Sequence, residues 1–355
     1  MRKLGWGTSL NYEGDPIKKY DRYQRLLDEM AGEHLNYLSI FMIHWGYNYA
    51  ESVGAAWPVQ EPRFAHFTDP QCVNANPETE FLPRLVTEAH ARGIEVDLAF
   101  SQHGGNMMPM LPDAGQTDRE GTVQPIPCPA YEGFAELNAA LAGDMLNRYG
   151  RAELGDACVD GYYGEGPTFH QPWFYSRRSK ERFLEQYGKD LGSVPELEQW
   201  KWAQELVRDH LRTICSTIER INPNLRRGQH CWEVSEVNKR GHGPHVYVAA
   251  GIQHAIPGWH SLDPAEMRAR MDLHAERMPS TVHISCRAKP PMNYAVPGVG
   301  PEDIAMTARE MISYIRSRSY PEDHIGVIYF SAENVVPENR KAVYAALRSI
   351  RSECG

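Results

Sequence analysis

Short apolar runs recur eight times along the 355-residue chain, and helical patterns fill most of the gaps between them. No other feature limits the fold as strongly. The runs are 3–10, 36–43, 94–100, 157–163, 227–233, 251–259, 281–287 and 325–330. They are rich in Ile, Val, Leu and aromatic residues, as buried strands are. Helical spacing is read over 17–30, 78–92, 130–149, 173–191, 195–221, 263–277, 301–318 and 337–352. In the second of these, Phe81, Leu82, Leu85, Val86 and Ala89 share one face, and Gly93 follows as a stop. Asp263 and Pro264 mark a helix start. Strands that alternate with helices pair in parallel, and eight of them predict a (β/α)8 TIM barrel. The alternative is an open doubly wound sheet, which usually carries a Gly-rich phosphate turn after its first strand; Gly5-Trp6-Gly7-Thr8-Ser9 has no GxGxxG spacing. With no repeat, low-complexity tract or linker, residues 1–355 are expected to form a single catalytic barrel domain.

Two connections are long, 44–77 after the second strand and 101–129 after the third. Both belong to the C-terminal face of a barrel, where sites are built. HWGYNYAESVGAAW, in the first, is too aromatic for a disordered segment.

Composition narrows the function classes. A formal charge of −9 offers no basic footprint for nucleic acid. No apolar run reaches the roughly 20 residues that span a bilayer, and the N-terminus lacks the apolar stretch of a signal peptide. The seven cysteines (Cys72, Cys128, Cys158, Cys215, Cys231, Cys286 and Cys354) are odd in number and contain no CxxC pair. They read as reduced thiols in a cytoplasmic protein. Eight Trp and eighteen Tyr suit a pocket that stacks on sugar faces, although aromatics also fill cores. The expected partner is a small-molecule or oligosaccharide substrate, without nucleic acid or membrane, and the chain is compatible with a homo-oligomer.

Candidate site residues are the polar groups at the C-terminal ends of strands. VDGYYGEGPTFHQPW, residues 159–173, supplies Asp160, Tyr163 and Glu165. Glycine on both sides leaves Glu165 unshielded, which makes it the first catalytic candidate. Asp160 is a second site carboxylate or a buried group bonded to barrel backbone, the latter favoured. Tyr162 and Tyr163 face opposite sides, one toward the core and the other toward the mouth. Glu233 is the favoured partner of Glu165, with Glu333 in reserve. Trp45, Trp232 and Trp259 are expected stacking platforms, and His44, His103, Asn106, His230 and Arg287 expected substrate ligands. Paired carboxylates with tryptophans and hydroxyl ligands are what glycoside hydrolysis needs: one carboxyl group protonates the leaving oxygen, and the other attacks or activates water. No cofactor is expected. The rival reading is a divalent-metal-dependent sugar isomerase or epimerase, with Glu165, Glu233, His283 and Glu333 around the ion.

VDGYYGEGP, followed by the helix RRSKERFLEQYGKDLGS, resembles barrel glycosidases of the alpha-L-fucosidase family and related uncharacterised bacterial glycosidase-like proteins. The shared pattern is Asp-Gly-aromatic, an acidic residue before Gly-Pro, then Phe-x-x-x-Tyr-Gly, matched by Phe183 to Gly188. The resemblance implies a glycosidase with Glu165 as nucleophile and, with it, a retaining reaction. The barrel beta-galactosidases have a comparable helix and use the fourth-strand Glu as acid/base. They place Asn before it and a second Glu at the end of strand seven, where this chain has Gly164 and Arg287-Ala288-Lys289.

Overall fold

The computed structural model describes residues 2–10, 20–43, 54–102, 105–169, 173–231, 233, 235–236, 238, 240–259, 263–287, 298–318, 320–321, 323–332 and 335–355. Its strands are β1 (Leu4–Ser9), β2 (Tyr37–Ile43), β3 (Glu95–Ser101), β4 (Gly115–Thr117), β5 (Val123–Pro127), β6 (Gly161–Glu165), β7 (Arg226–Cys231), β8 (His254–Trp259), β9 (Ser280–Ser285) and β10 (Ile325–Phe330). Eight of them close a parallel barrel in the order β1, β2, β3, β6, β7, β8, β9, β10, with β10 pairing back to β1. All eight expected strands are present, and the fold is a (β/α)8 TIM barrel. The helices are α1 (Tyr20–Gly32), α2 (Leu82–His90), α3 (Glu132–Tyr149), α4 (Arg177–Tyr187), α5 (Glu196–Ile221), α6 (Pro244–Ala250), α7 (Pro264–Ala275), α8 (Pro301–Ser317) and α9 (Pro337–Cys354). Among the described residues no helix is long and apolar enough to cross a membrane.

Local signals read from the sequence act as expected at several helix ends. Asp263 caps α7 by accepting from the Ala265 amide at 2.9 Å. Gly93 takes φ +71°, a left-handed conformation that costs glycine little. The fourth barrel strand begins later than expected, at Gly161 rather than Ala157. Residues 152–157 coil in 3-10 turns, and Val159 is buried as a lead-in whose amide bonds the Tyr149 carbonyl. Helix α6 has no counterpart in the sequence reading.

Alternation sorts the strand residues into two sets. Leu38, Ile40 and Met42 of β2 and Val96, Leu98 and Phe100 of β3 join the core that also takes in the helices. The opposite parity fills the barrel in tiers, as such barrels do. At the N-terminal end, Arg226 forks onto Asp97 at 2.6 and 3.1 Å, Tyr37 donates to Asp97 at 2.6 Å, and His254 meets Thr281 at 2.8 Å. His254, which follows a connection rather than a strand, therefore lies far from the mouth. The middle tier is apolar: Phe41, Ala99, Tyr163 and Ile256, with Phe330 packed on them. The Phe41 ring meets Tyr163 and Phe330 edge-on, at 5.5 and 5.4 Å. Gly5 on β1 has no room for a side chain, since a Cβ there would lie 1.6 Å from the Tyr37 carbonyl oxygen.

The long connections are built structures where they are described. After β2, Asn74 is fully buried; its amide nitrogen bonds the Ala56 carbonyl, and its oxygen accepts from the Phe81 and Leu82 amides. Trp57 donates to Asp144 of α3 at 2.8 Å. After β3, β4 and β5 form an antiparallel pair, and Gln116 donates to the Thr168 carbonyl at 2.9 Å, which ties the pair to the segment following β6.

Candidate active site

The end of β6 is held from both sides. In register, Gly164 lies between Phe100 of β3 and Gln229 of β7. A Cβ on Gly164 would come within 1.9 Å of Gln102 Nε2 and 2.9 Å of Gln229 Oε1. The glycine is therefore required by two glutamine side chains that close over it. Gln102 donates to Tyr162 at 2.8 Å, and Gln229 donates to the Gly166 carbonyl at 2.6 Å. The Gln102 amide donates to the Glu165 carbonyl at 2.6 Å. Beyond Glu165, Gly166 turns with φ +88°, and His242 contacts the Pro167 carbonyl at 2.8 Å. The backbone that carries Glu165 is fixed before any substrate arrives.

Glu165 occupies the upper tier, with its side chain 13% exposed. Burial penalises the charged form and pushes its carboxyl up to about 7 from the usual 4.5. His230, its register partner on β7, places Nδ1 3.6 Å from Oε1. His230 Nε2 lies 3.1 Å from Nδ1 of His283 on β9. His283 packs edge-on against Phe330 at 5.0 Å; burial first, then the Arg287 charge, push its imidazole down to about 3. Arg287, just past β9, lies over Phe330 and donates to Ser331 Oγ at 3.2 and 3.1 Å. A poised carboxyl, a neutral imidazole and a guanidinium thus gather at the mouth, equipped to exchange a proton and to bind an oxygen-rich ligand.

For Asp160 the favoured of its two readings holds, and the expectations for Tyr163 and Glu233 are corrected. Asp160 precedes β6 at the opposite end of the barrel. Its carboxylate accepts from the Val96 amide at 2.6 Å and meets His90 of α2 at 2.9 Å, so it supports the barrel floor and is not catalytic. Tyr163 does not reach the mouth, because it sits two residues before Glu165 on the same face and is sealed in the apolar tier. Glu233 is buried, but its electrostatic neighbours are Cys231, His242, Tyr247 and His274, behind β7. The shift of Glu165, by contrast, comes from burial.

His230 lies beside Glu165, and Arg287 acts on His283, which in turn meets His230. His44, Trp45, His103, Trp232 and Glu333 lie outside the described residues, as do the side chains of Asn106 and Trp259. Among the described residues no group of three or more His, Cys, Asp or Glu side chains is arranged to hold a metal ion. The ring required by the isomerase reading is not assembled from Glu165, Glu233 and His283. The sequence reading used His283 only in the isomerase alternative. Strand parity identifies its place, since Thr281, His283 and Ser285 alternate with the apolar Val282 and Ile284.

The fold and this mouth define a (β/α)8 barrel with a desolvated carboxyl at its C-terminal face. No protein-family model matches the sequence, and no curated protein matches it. Solved structures do resemble it. A beta-galactosidase from the psychrophilic Marinomonas ef1 superposes with a TM-score of 0.67 at 13% identity, over 98% of this chain and 59% of that one. A beta-galactosidase from Bacillus circulans sp. alkalophilus gives 0.63 at 9% identity, over 99% and 56%. A GH20 exo beta-N-acetylglucosaminidase from Vibrio harveyi, in complex with N-acetylglucosamine, gives 0.56 at 12%, over 99% and 54%. The chain spans less than two thirds of the length of these proteins, and its fold is theirs.

Proposed function

We propose that the chain is a glycoside hydrolase and that Glu165 is its general acid/base. The observation that carries this reading is the Glu165 carboxyl, buried at the C-terminal mouth of the barrel and raised to about 7. A nucleophile must be ionised at working pH, whereas a proton donor works best with a pKa near that pH. The raised value therefore favours acid/base over the nucleophile role that the fucosidase-like pattern implies. Likeness of fold to barrel glycosidases supports the reaction class. Glu333, from the segment after β10, is the carboxylate proposed as partner. Retention requires it to lie about 5–5.5 Å from Glu165, and inversion about 6.5–9.5 Å.

The test is hydrolysis of aryl beta-galactosides, beta-N-acetylglucosaminides and alpha-L-fucosides by wild type and Glu165→Gln. With a poor leaving group, such as phenol, the variant is expected to lose about 10²–10⁴-fold in kcat/KM. With 2,4-dinitrophenolate, which leaves without protonation, the loss in the bond-cleaving step should largely disappear. Equal activity of the two proteins on the poor leaving group would remove Glu165 from the mechanism. Proton NMR of the first-formed anomer then distinguishes retention from inversion.

A further inference from the structure

Past the end of β6, the carbonyls of Glu165, Gly166, Pro167 and Thr168 each accept from a buried donor. The Gln102 amide holds the first at 2.6 Å, and Gln229 Nε2 holds the second at 2.6 Å. His242 Nε2 meets the third at 2.8 Å, and Gln116 Nε2 donates to the last at 2.9 Å. These donors come from β4, β7 and the segments that follow β3 and β7. Residues 166–169 are buried, and the Phe169 amide donates to the Arg240 carbonyl at 3.3 Å. Among these donors His242 is the one ionisable side chain, and the proposed chemistry gives it no role.

Hydrogen-bond chemistry fixes the state of this imidazole. A carbonyl oxygen only accepts, so Nε2 carries the hydrogen of the contact with Pro167. His242 is 3% exposed. Burial, partly opposed by the Glu233 charge, holds it below the ordinary histidine range, and the ring is neutral at pH 7. Its Nδ1 is then an acceptor, and Tyr247 of α6, fully buried, donates to it at 2.9 Å. Both contacts lie within ordinary hydrogen-bond distance. Proline has no N–H, so its carbonyl is the backbone group through which Pro167 can be held.

We infer that His242 is a positioning residue: it bridges Tyr247 to the Pro167 carbonyl and so sets the rim segment that starts next to Glu165. The inference rests on the acid/base reading of Glu165. A general acid must bring its proton within hydrogen-bond reach of the leaving oxygen. Glu165 takes its aim from the backbone on both sides. Before it, β6 is paired with β3 and β7. After it, the aim depends on carbonyls held by side chains. Release of Pro167 loosens the stretch between Gly166 and Thr168, and a misaimed acid loses rate where protonation is needed.

Two variants divide the imidazole into its halves. In His242→Gln the amide nitrogen reaches the Nε2 position and keeps the bond to Pro167. In His242→Asn the amide falls at the Nδ1 position and keeps Tyr247 alone. The substrates are phenyl and 2,4-dinitrophenyl glycosides of the sugar that wild type cleaves. His242→Asn is expected to lose about 10–10²-fold in kcat/KM on the phenyl glycoside and much less on the other. His242→Gln should stay near wild type on both. Hydrogen exchange reads the same contact without catalysis: the Phe169 amide should exchange about tenfold faster in His242→Asn and at the wild-type rate in His242→Gln. In the unsubstituted protein at pH 7, ¹⁵N NMR should show a neutral His242 with its hydrogen on Nε2. A hydrogen on Nδ1 alone, equal Phe169 exchange in the two variants, or an equal loss on both leaving groups overturns the inference. Failure of the acid/base reading shows up separately, as unchanged hydrolysis of the phenyl glycoside by Glu165→Gln.

Discussion

Glu165 carries a stability cost as well as a proposed proton. Its folded carboxyl titrates near 7, against 4.5 for an ordinary Glu. Between those values the unfolded chain is ionised while the folded chain keeps the proton. The stability tied to this group is therefore complete below about pH 4.5 and is lost as pH rises through 7. The whole shift corresponds to roughly 3 kcal/mol. Glu165→Gln cannot ionise and escapes the loss. Its urea-derived stability should match wild type at pH 4.5 and exceed it by up to about 3 kcal/mol at pH 8. Equal midpoints at pH 8 would mean that the carboxyl is solvated and its titration ordinary. Active sites commonly carry such costs, because a group poised for chemistry is poorly suited to the folded state.

The last turn of β6 shows how an element delivers that side chain. Gln102 and Gln229 occupy the space that a Cβ on Gly164 would need. Gly164→Ala must push one or both amides aside and loosen their bonds to Tyr162 and Gly166. The expected cost is about 1–3 kcal/mol in urea unfolding, by the usual penalty of overpacking. A variant as stable as wild type would show that the glutamines yield freely. The barrel strands were legible because each is a short apolar run between helical stretches, a pattern that survives burial on both faces. The start of β6 was not, since Val159 is as apolar as a strand residue yet belongs to the lead-in. Helix α6 has seven residues, fewer than two helical turns, too short for periodicity to register. Glu165 stood out by its flanking glycines and Asp160 was rightly favoured as a backbone ligand, whereas Glu233 was harder to place because nearness to a strand end says nothing about which way a carboxylate points. Parity does: counting by twos from the buried Tyr163 leads up to Glu165 and down to Gly161, with Asp160 outside the barrel.

Across the whole molecule, buried imidazoles set the response to acid. His210, His254, His274 and His283 lie in α5, β8, α7 and β9, and each is nearly inaccessible. Burial pushes them from 6.5 down to about 3, 3, 4 and 3. Their folded values are depressed, so between pH 6.5 and 4.5 the unfolded chain binds protons that the folded chain refuses. Stability is lost as pH falls through this window. Glu165 acts in the opposite sense there, holding one proton in the folded state. These four imidazoles against one carboxyl leave about three protons, a slope of roughly 4 kcal/mol per pH unit, to which His242 and His245, also depressed by burial, add. A domain stable by about 5–15 kcal/mol exhausts that within about four units below 6.5, so cooperative unfolding is expected by about pH 3 and as early as about pH 5. Asp97 adds to the fall at the lowest pH, because Arg226 and Tyr37 hold its carboxyl below the ordinary range despite burial. Urea midpoints measured from pH 7 to 5 should drop steeply. His210→Gln should flatten the slope by about one proton, or about 1.4 kcal/mol per pH unit. His210 is the one to replace, since it lies on α5, packs on Phe134 and meets Asn138. A slope unchanged by that substitution would show that His210 takes up its proton in the folded protein, and the acid limb would then have to come from the other depressed imidazoles.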